Sequence, residues 1–496
     1  MAKRKRGGAD VKRNLQLSDL PTDILSCIIS QLPIKEAART SILSNQWKHV
    51  WCYRRNLLFS FKSMMPRSYY SRPYASKRFD QDFIDRVEAV LKQHSGARVD
   101  RMEVDHVPLS NRNADYIDRW LGFAIATKTK HLIFDFTPLR ATGATDEPYR
   151  FPLEIFSATN SSRLQSMKLG GVSLKQPENF KGFLNIKKLE LKCVDITDEQ
   201  LQLLLPKCHV LEFLGMSLCR RLTSIQTSHP SSHLKHLQVS HCPLVQEIKL
   251  NLGLKTLEYQ GSLVPLAPPG TLTGLCINSS DVSSALVYIF NGLPSTLPCL
   301  ETLTLKCEEL ERASLPDKPT KFIYLRHLRL ELIFPSKFKA DVLDFACLLE
   351  AAPLLEKLEF HMWMDMWAHD RFRYRKRHGK LRSLPSHPHS HLKLVNVTGF
   401  YGLKDQLELL LHFLRNSTVL KAMRIEPKPM VAARYLYLSP GDALSSLDGY
   451  KVAKKYLRKE DHRGVVQIVR VRRDVVNAPY YHLIDPQRFP MLPEAN

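Results

Sequence analysis

The ten cysteines of this 496-residue chain include no Cys-x-x-Cys pair. That spacing usually opens a structural zinc site or a dithiol redox centre, so neither is expected. Most of the cysteines fall inside apolar patterns, where a free thiol behaves as a small hydrophobe. A reducing compartment, nucleus or cytoplasm, and no disulfide framework follow. No apolar run reaches the ~18 residues that suggest a membrane span. The start, MAKRKRGGADVKR, is basic with no apolar segment behind it, unlike a secretory signal. Catalytic signatures are missing too: no phosphate loop G-x-x-x-x-G-K-[ST], no G-x-G-x-x-G, no G-x-S-x-G elbow and no H-E-x-x-H. The densest histidine group is His387, His389 and His391, with His378 upstream. Alternate histidines on a strand could share a metal, but Pro388 and the serines around it read as a loop, with no cysteine or carboxylate close by. No cofactor or metal is expected, and an enzyme reading has no residue to rest on.

Negative charge is also scarce. There are 49 acidic against 72 basic side chains, a formal net charge of +23. Such a balance attracts polyanions: nucleic acid, anionic membrane or an acidic partner. Much of it is clustered. Lys3-Arg4-Lys5-Arg6 has the form of a nuclear import signal. Arg371, Arg373, Arg375, Lys376, Arg377, Lys380 and Arg382 form one basic loop. Lys451, Lys454, Lys455, Arg458 and Lys459 form a second run, with Arg470, Arg472 and Arg473 following. These read first as solvated faces, because nothing resembles a zinc finger, a helix-turn-helix or an RNA-binding sheet.

The most informative stretch is near the start, at 17–51: LSDLPTDILSCIISQLPIKEAARTSILSNQWKHVW. Ser18 and Asp19 are good caps, and Pro21 suits a first helical turn. Ile24, Leu25, Ile28, Ile29 and Leu32 follow at helical spacing, and Pro33 ends that helix. A second helix is expected from about Lys35 to Leu43, and a third carrying Trp47, Val50 and Trp51. Helices this short cannot enclose their own apolar faces, so a lasting partner is expected. The joint spacing of Leu20-Pro21, Leu32-Pro33, Thr40 to Ser44 and Trp47 to Trp51 resembles the F-box. The family usually carries Lys-Arg before its tryptophan; here Asn45-Gln46 stand there. The resemblance implies docking to a Skp-family adaptor, and through it a cullin, with Leu20, Pro21, Ile24, Ile28, Leu32 and Trp47 as the contacts. Ala37 and Leu43 are expected to hold the module together.

Beyond a polar linker and a helix around Phe83 to Leu91, an internal repeat begins near residue 99. VDRMEVDHV and KHLIFDF alternate like strands. A clearer series follows: LQSMKL at 164, IKKLEL at 186, LEFLGM at 211, LKHLQV at 234, LKTLEY at 254, LTGLCI at 272, LETLTL at 300, LRHLRL at 325, LEKLEF at 355, LKLVNV at 392 and LKAMRI at 420. The period varies from 18 to 37 residues. That matches leucine-rich repeats with insertions, whose unit is roughly 20–29 residues. In each unit two apolar residues point inward and the residue between them points out along the concave face. No unit buries its apolar face alone, so stacking is obligatory. Cys219 and Cys242 fall where such repeats place Asn or Cys to bond the backbone, so both are read as structural. Asp198 and Glu199 mark a helix start on the outer side.

The series resembles the irregular, cysteine-containing repeats of plant F-box proteins, as do Ile117 to Trp120 and Tyr149 to Pro152. HLKLVNVTGFYGLKDQLELLLHFLRNSTVLKAMRI, with its Gly399-Phe400 turn, resembles the FBD module of the same family. The expected organisation is a disordered basic tail (1–15), an F-box (16–56), a linker and helix (57–98), a leucine-rich-repeat solenoid (99–384), an FBD-like module continuing it (385–430) and a basic extension of unassigned role (431–496). The fold class is α/β, with parallel strands on the concave face and helices or loops outside. The function implied is a non-catalytic adaptor of an SCF-type ubiquitin ligase, binding a protein substrate of unknown identity. The alternatives are a nuclear nucleic-acid-associated protein and a Skp-binding scaffold outside a ligase. The candidate substrate face is the outward row Lys168, Glu190, Gln238, Glu258, Thr304, Arg329, Glu359 and Asn396, whose mixed charges suit a protein better than nucleic acid.

Overall fold

The computed structural model describes residues 20–42, 47, 50–65, 79–95, 98–137, 146–156, 163–175, 180–226, 233–249, 253–267, 271–279, 288–307, 320–334, 341–364, 373–430 and 448–470. They belong to two compact units, Met1–Leu211 and Glu212–Asn496. The tail with Lys3 to Arg6, the caps Ser18 and Asp19, Leu43, Arg371, Arg472 and Arg473 lie outside the described residues.

The first unit opens with two short helices, α1 (Thr22–Ser30) and α2 (Ile34–Arg39). Each is preceded by a proline, Pro21 or Pro33, with φ −55° and ψ 148°. Pro21 therefore stands just before the first turn rather than in it. Its carbonyl accepts from the N–H groups of Ile24 and Leu25 at 3.0 and 3.1 Å. The second helix is shorter than expected, because the chain tightens into a 3-10 turn at Thr40–Ile42. Leu25, Ile29, Ala37, Trp47, Val50 and Trp51 form one buried apolar cluster. Val90, from α3 (Phe79–Gln93), packs against it.

Strand β1 (Asn56–Ser60) follows directly and pairs in parallel with β2 (Arg101–Asp105). Then come β3 (His131–Asp135), β4 (Ser166–Gly170) and β5 (Lys188–Lys192), all parallel. The span 57–98, expected as a linker and a helix, thus supplies a paired strand as well as α3. Only Leu57 and Phe59 point inward there, too short an alternation to stand out in the sequence. Helix α4 (Ala114–Ala126) buries Ile117, Trp120, Leu121 and Ala124. The Trp120 indole donates to Glu88 at 2.6 Å, tying α4 to α3. Helix α5 (Asp198–Leu204) starts on a Thr197–Gln200 capping box, with Asp198 and Glu199 in its first turn.

The second unit repeats the plan with β6 (Phe213–Ser217), β7 (His236–Ser240), β8 (Thr256–Gly261), β9 (Gly274–Ser279) and β10 (Thr302–Cys307). It continues with β11 (His327–Phe334), β12 (Lys357–Met364), β13 (Leu394–Thr398) and β14 (Ala422–Glu426). Strand β15 (Val466–Ile468), from the basic extension, pairs with β14 and adds a coil to the solenoid. Inward positions such as Leu237, Val239, Leu328, Leu330, Val395 and Val397 are almost fully buried. The parallel-strand solenoid expected from the repeats is the observed architecture.

Each coil must turn sharply after its strand, and several do so with one left-handed residue. His106, Gly171, Cys193, Leu218, His241 and Gly399 have φ between 52° and 70°. This aims the N–H along the ladder. Leu218 donates to Ser240 O at 2.9 Å and His241 to Gln260 O at 2.7 Å, in the following coil. Gly399 has no alternative, since a Cβ there would lie 1.9 Å from Met362 O. Cys219 and Cys242, one residue further on, are buried and donate to Ser217 O and Ser240 O at 3.6 Å. Helix α6 (Lys404–Asn416) follows the Gly399 turn and is buried on nearly every side. Its polar residues are satisfied internally. Gln406 accepts from Tyr401 N–H at 2.9 Å and donates to Gly399 O at 3.1 Å. Glu408 accepts from the Arg382 backbone and side chain at 2.7 Å each. The Arg463 guanidinium closes the C-terminus of the helix, donating to Leu414 O at 2.6 Å and Ser417 O at 2.5 Å. Among the described residues no helix is long and apolar enough to cross a membrane.

Candidate partner and substrate surfaces

Helix α1 has two apolar faces. Leu25 and Ile29 turn inward and are 0 % and 1 % exposed, whereas Ile24 and Ile28 are 49 % and 39 % exposed. Spacings of three and four residues align Pro21, Ile24, Cys27 and Ile28 as one exposed stripe. Leu20 and Leu32 are half-buried at the edge of the cluster. Trp47 requires a correction. Expected at the adaptor surface, it is 6 % exposed and packs with Leu25 and Ile29, so it supports the module from within. Ala37 is fully buried in the same cluster. Ile42, absent from the expected contacts, is 88 % exposed on the turn after α2. Its sequence signal was its place in the Thr40 to Ser44 stretch.

The outward row is real as a register. Lys168 lies opposite Glu190 in the first unit. In the second, Gln238, Glu258, Cys276, Thr304, Arg329, Glu359, Asn396 and Arg424 are successive partners from β7 to β14. Cys276 and Arg424 follow from the same periodicity as their neighbours, in LTGLCI and LKAMRI, yet were not among the expected residues.

The row's side chains are not equally available. Arg329 donates to Glu331 at 2.8 Å along its own strand and to Glu359 at 3.1 Å on the next. Glu359 also meets His327 at 3.0 Å, His361 at 3.2 Å and the Lys357 ammonium. Its partners, led by His327 and His361, hold the carboxyl far below the ordinary glutamate range despite its burial. His361 is fully buried and reaches Thr398 at 2.9 Å. Lys306 stands 3.7 Å from Glu331. This is a knot of charges that satisfy one another. Glu190 pairs with Lys188 at 2.6 Å. Asn396 Oδ1 is buried with no hydrogen-bond partner among the described residues. By contrast, the half-buried Gln238, Glu258, Gln260, Asn278 and Thr304, on β7 to β10, have no side-chain partner among the described residues.

The first unit has its own knot. The Asp135 side chain is wholly buried, 2.9 Å from Lys192 Nζ and 3.5 Å from Lys168 Nζ. Burial pushes its carboxyl up, but hydrogen bonds from Thr137 and Lys192 outweigh that and leave it below its ordinary value. A Cβ on Gly170 would come within 2.2 Å of Asp135 Oδ1, so glycine makes the room. Ligating atoms of Asp105, His106 and Asp135 lie within 4.8 Å of one another. The two lysines already supply the positive charge that a cation would bring. The histidine group does not converge either. His389 Nε2 donates to Ala352 O at 2.9 Å, while Nδ1 accepts from the N–H groups of His391 and Leu392 at 3.3 and 3.0 Å. Both of its nitrogens are used, and burial holds its pKa below the ordinary histidine value.

The arrangement agrees with what the chain is similar to. Residues 17–59 match the F-box domain family, and 90–469 match the leucine-rich-repeat domain described as At1g61320/AtMIF1, LRR domain. The chain belongs to the F-box/leucine-rich-repeat family. The Arabidopsis thaliana F-box/FBD/LRR-repeat protein At1g13570 is 24 % identical over 424 residues, 82 % of this chain and 90 % of the relative. The putative FBD-associated F-box protein At1g61330 of the same plant is 23 % identical over 442 residues, 84 % and 92 % of the two chains. The F-box protein At5g03100 is 27 % identical over 240 residues, covering 48 % of this chain and 65 % of the relative. F-box/leucine-rich-repeat proteins are in general non-catalytic substrate adaptors, and an F-box in general docks a Skp-type adaptor.

Proposed function

We propose that this chain is the substrate-recognition subunit of an SCF-type ubiquitin ligase. The observation that carries the reading is the exposed stripe Pro21, Ile24 and Ile28, backed by a helix face already saturated with its own core. An apolar stripe of this kind on a small module asks for a partner. The Skp-type adaptor binds the stripe, and the cullin follows through the adaptor. The repeats hold a protein substrate near a charged ubiquitin carrier, and the gain is effective concentration. Within the expected substrate row, the contact falls on Gln238, Glu258 and Thr304, whose polar groups are unspent. Arg329 and Glu359 serve chiefly to lock β11 to β12. Lys3 to Arg6 direct a nuclear fraction of the protein, and alanine replacement should shift a fluorescent fusion toward the cytosol, an unchanged nuclear fraction rejecting the role.

Purification of the tagged chain from its host with the proteasome inhibited tests the reading. A Skp-type adaptor and a cullin should co-purify, together with ubiquitinated proteins. Recovery of the adaptor without a cullin would make the chain a scaffold outside a ligase. Recovery of neither would reject the reading.

A further inference from the structure

We propose that the C-terminal end of the second unit carries a separate surface that binds the phosphate backbone of duplex nucleic acid. It is built where two basic stretches, some seventy residues apart in sequence, are brought together.

The clasp is aromatic. Tyr374 is buried, its ring centroid 5.2 Å from that of Tyr456 and 6.4 Å from that of His378. Its N–H donates to Gly402 O at 2.7 Å and its hydroxyl to Gly379 O at 3.0 Å. Arg373 forms an ion pair with Asp448, and Lys404 Nζ donates to His378 O at 3.4 Å. Arg375, Lys376, Arg377 and Lys380, within six residues of Tyr374 in the chain, are all exposed. Lys454, Lys455, Arg458 and Lys459, within three residues of Tyr456, are exposed as well. None of the eight has a carboxylate partner among the described residues.

The acids nearby are paired with groups other than these eight cations. Asp448 is held by Arg373, Glu460 by Arg415 at 3.0 Å, and Glu408 by Arg382 at 2.6 Å. Asp461 accepts from the N–H groups of Val465 and Val466 at 3.1 and 2.7 Å. The eight cations are therefore left without a neutralising carboxylate, and positive charge is in excess here, unlike the outward row, where Arg329 and Glu359 neutralise each other. Like charges gathered this way repel one another, and a polyanion relieves the repulsion while releasing its counterions. A second observation falls at the same place. The backbone over Ala453–Leu457 is wound as a π-helix, a rare form that concentrates at functional sites, and it carries Lys454, Lys455 and Tyr456.

The excess of unpaired cations selects the ligand. Acidic protein surfaces interleave carboxylates with cations and apolar groups, whereas a nucleic-acid backbone is anionic throughout. Lys455 Nζ lies 5.4 Å from the Tyr456 ring centroid and Tyr374 is buried, so neither ring is a free platform for single-stranded bases. The cations meet phosphates without reading bases, and the binding is sequence-independent.

The test is fluorescence anisotropy of the full chain with a labelled 20-base-pair DNA duplex, across 50 to 200 mM salt. Two variants each remove four charges: R375A/K376A/R377A/K380A on the loop and K454A/K455A/R458A/K459A on the helix. A control, R86A/K175A/K181A/K187A, removes four exposed or partly exposed cations from the first unit. Thermal melting checks that all three fold. Each patch variant should weaken binding by about tenfold or more and flatten its salt dependence, with the control within about twofold of the parent. The proposal is overturned if the control loses as much as the patch variants, or if only one of the two patch variants loses affinity. It is likewise overturned if a polyglutamate peptide of equal charge displaces the duplex more effectively than unlabelled duplex does.

Discussion

Strands β7 to β9 and strands β11 and β12 share one register and one polarity, yet they use their outward side chains differently. On β11 and β12, Arg329, Glu331, Glu359, Lys357 and His361 satisfy one another. On β7 to β9, Gln238, Glu258, Gln260 and Asn278 face outward without such bonds. The difference arises from what stands opposite in register. Arg329 faces Glu359, a charge facing its opposite, while Glu258 faces Gln238 and Cys276, which cannot neutralise it. A polar outward row is thus available to a partner only where neighbours do not consume it.

The largest effect should come from breaking the knot. Glu359→Ala leaves Arg329 and Lys357 without their shared carboxylate and should cost about 3 kcal/mol, read by chemical denaturation. Glu258→Ala in the open half should change stability by less than about 0.5 kcal/mol. Equal costs would erase the distinction between the halves. Charge reversal at Arg329 or Glu359 is for the same reason a poor probe of substrate binding, since it attacks the fold first.

Glu258→Lys should sharpen the contrast in function. Captured substrate should fall at least about tenfold in a quantitative pull-down, the order expected for a buried contact charge turned repulsive. Adaptor recovery should be unchanged. Unaltered substrate capture would remove the open half from the interface.

Acid separates the halves as well. The folded pKa of Glu359 is depressed, so its stabilisation is complete above the ordinary glutamate value of about 4.3 and fades as pH falls below it towards the folded pKa. The parent should lose stability below about pH 4.3 more steeply than Glu359→Gln, in melts recorded at successive pH values. Parallel pH profiles would contradict the assignment.

The smallest effect concerns the turns. Leu218 is left-handed at φ 57° and 40 % exposed, so it bears strain with little burial in return. Leu218→Gly should stabilise the second unit by up to about 1 kcal/mol, read by chemical denaturation.

Inward positions were legible in the sequence because burial imposes a period, and LKHLQV or LRHLRL can be laid on a strand without coordinates. The register followed, since every repeat presents the same phase. Side-chain commitments did not follow. That Arg329 is spent on Glu359, or that Asp135 draws Lys168 and Lys192, depends on partners one or two coils away. Trp47 misled for a related reason: a tryptophan signals burial, and only packing decides whether its own module or a partner provides it. The strand Asn56–Ser60 escaped notice because two inward residues make no period. The meeting of the two basic runs through Tyr374 and Tyr456 has no local sequence signal at all.

Isothermal titration of a purified Skp-type adaptor into the purified chain probes the exposed stripe on α1 as the proposed adaptor surface. The parent should bind with a single-site isotherm. Ile24→Asp with Ile28→Asp should abolish binding while leaving the melting temperature nearly unchanged, because both side chains are exposed in the free chain. Undiminished affinity in that double variant would place the adaptor elsewhere than on this stripe.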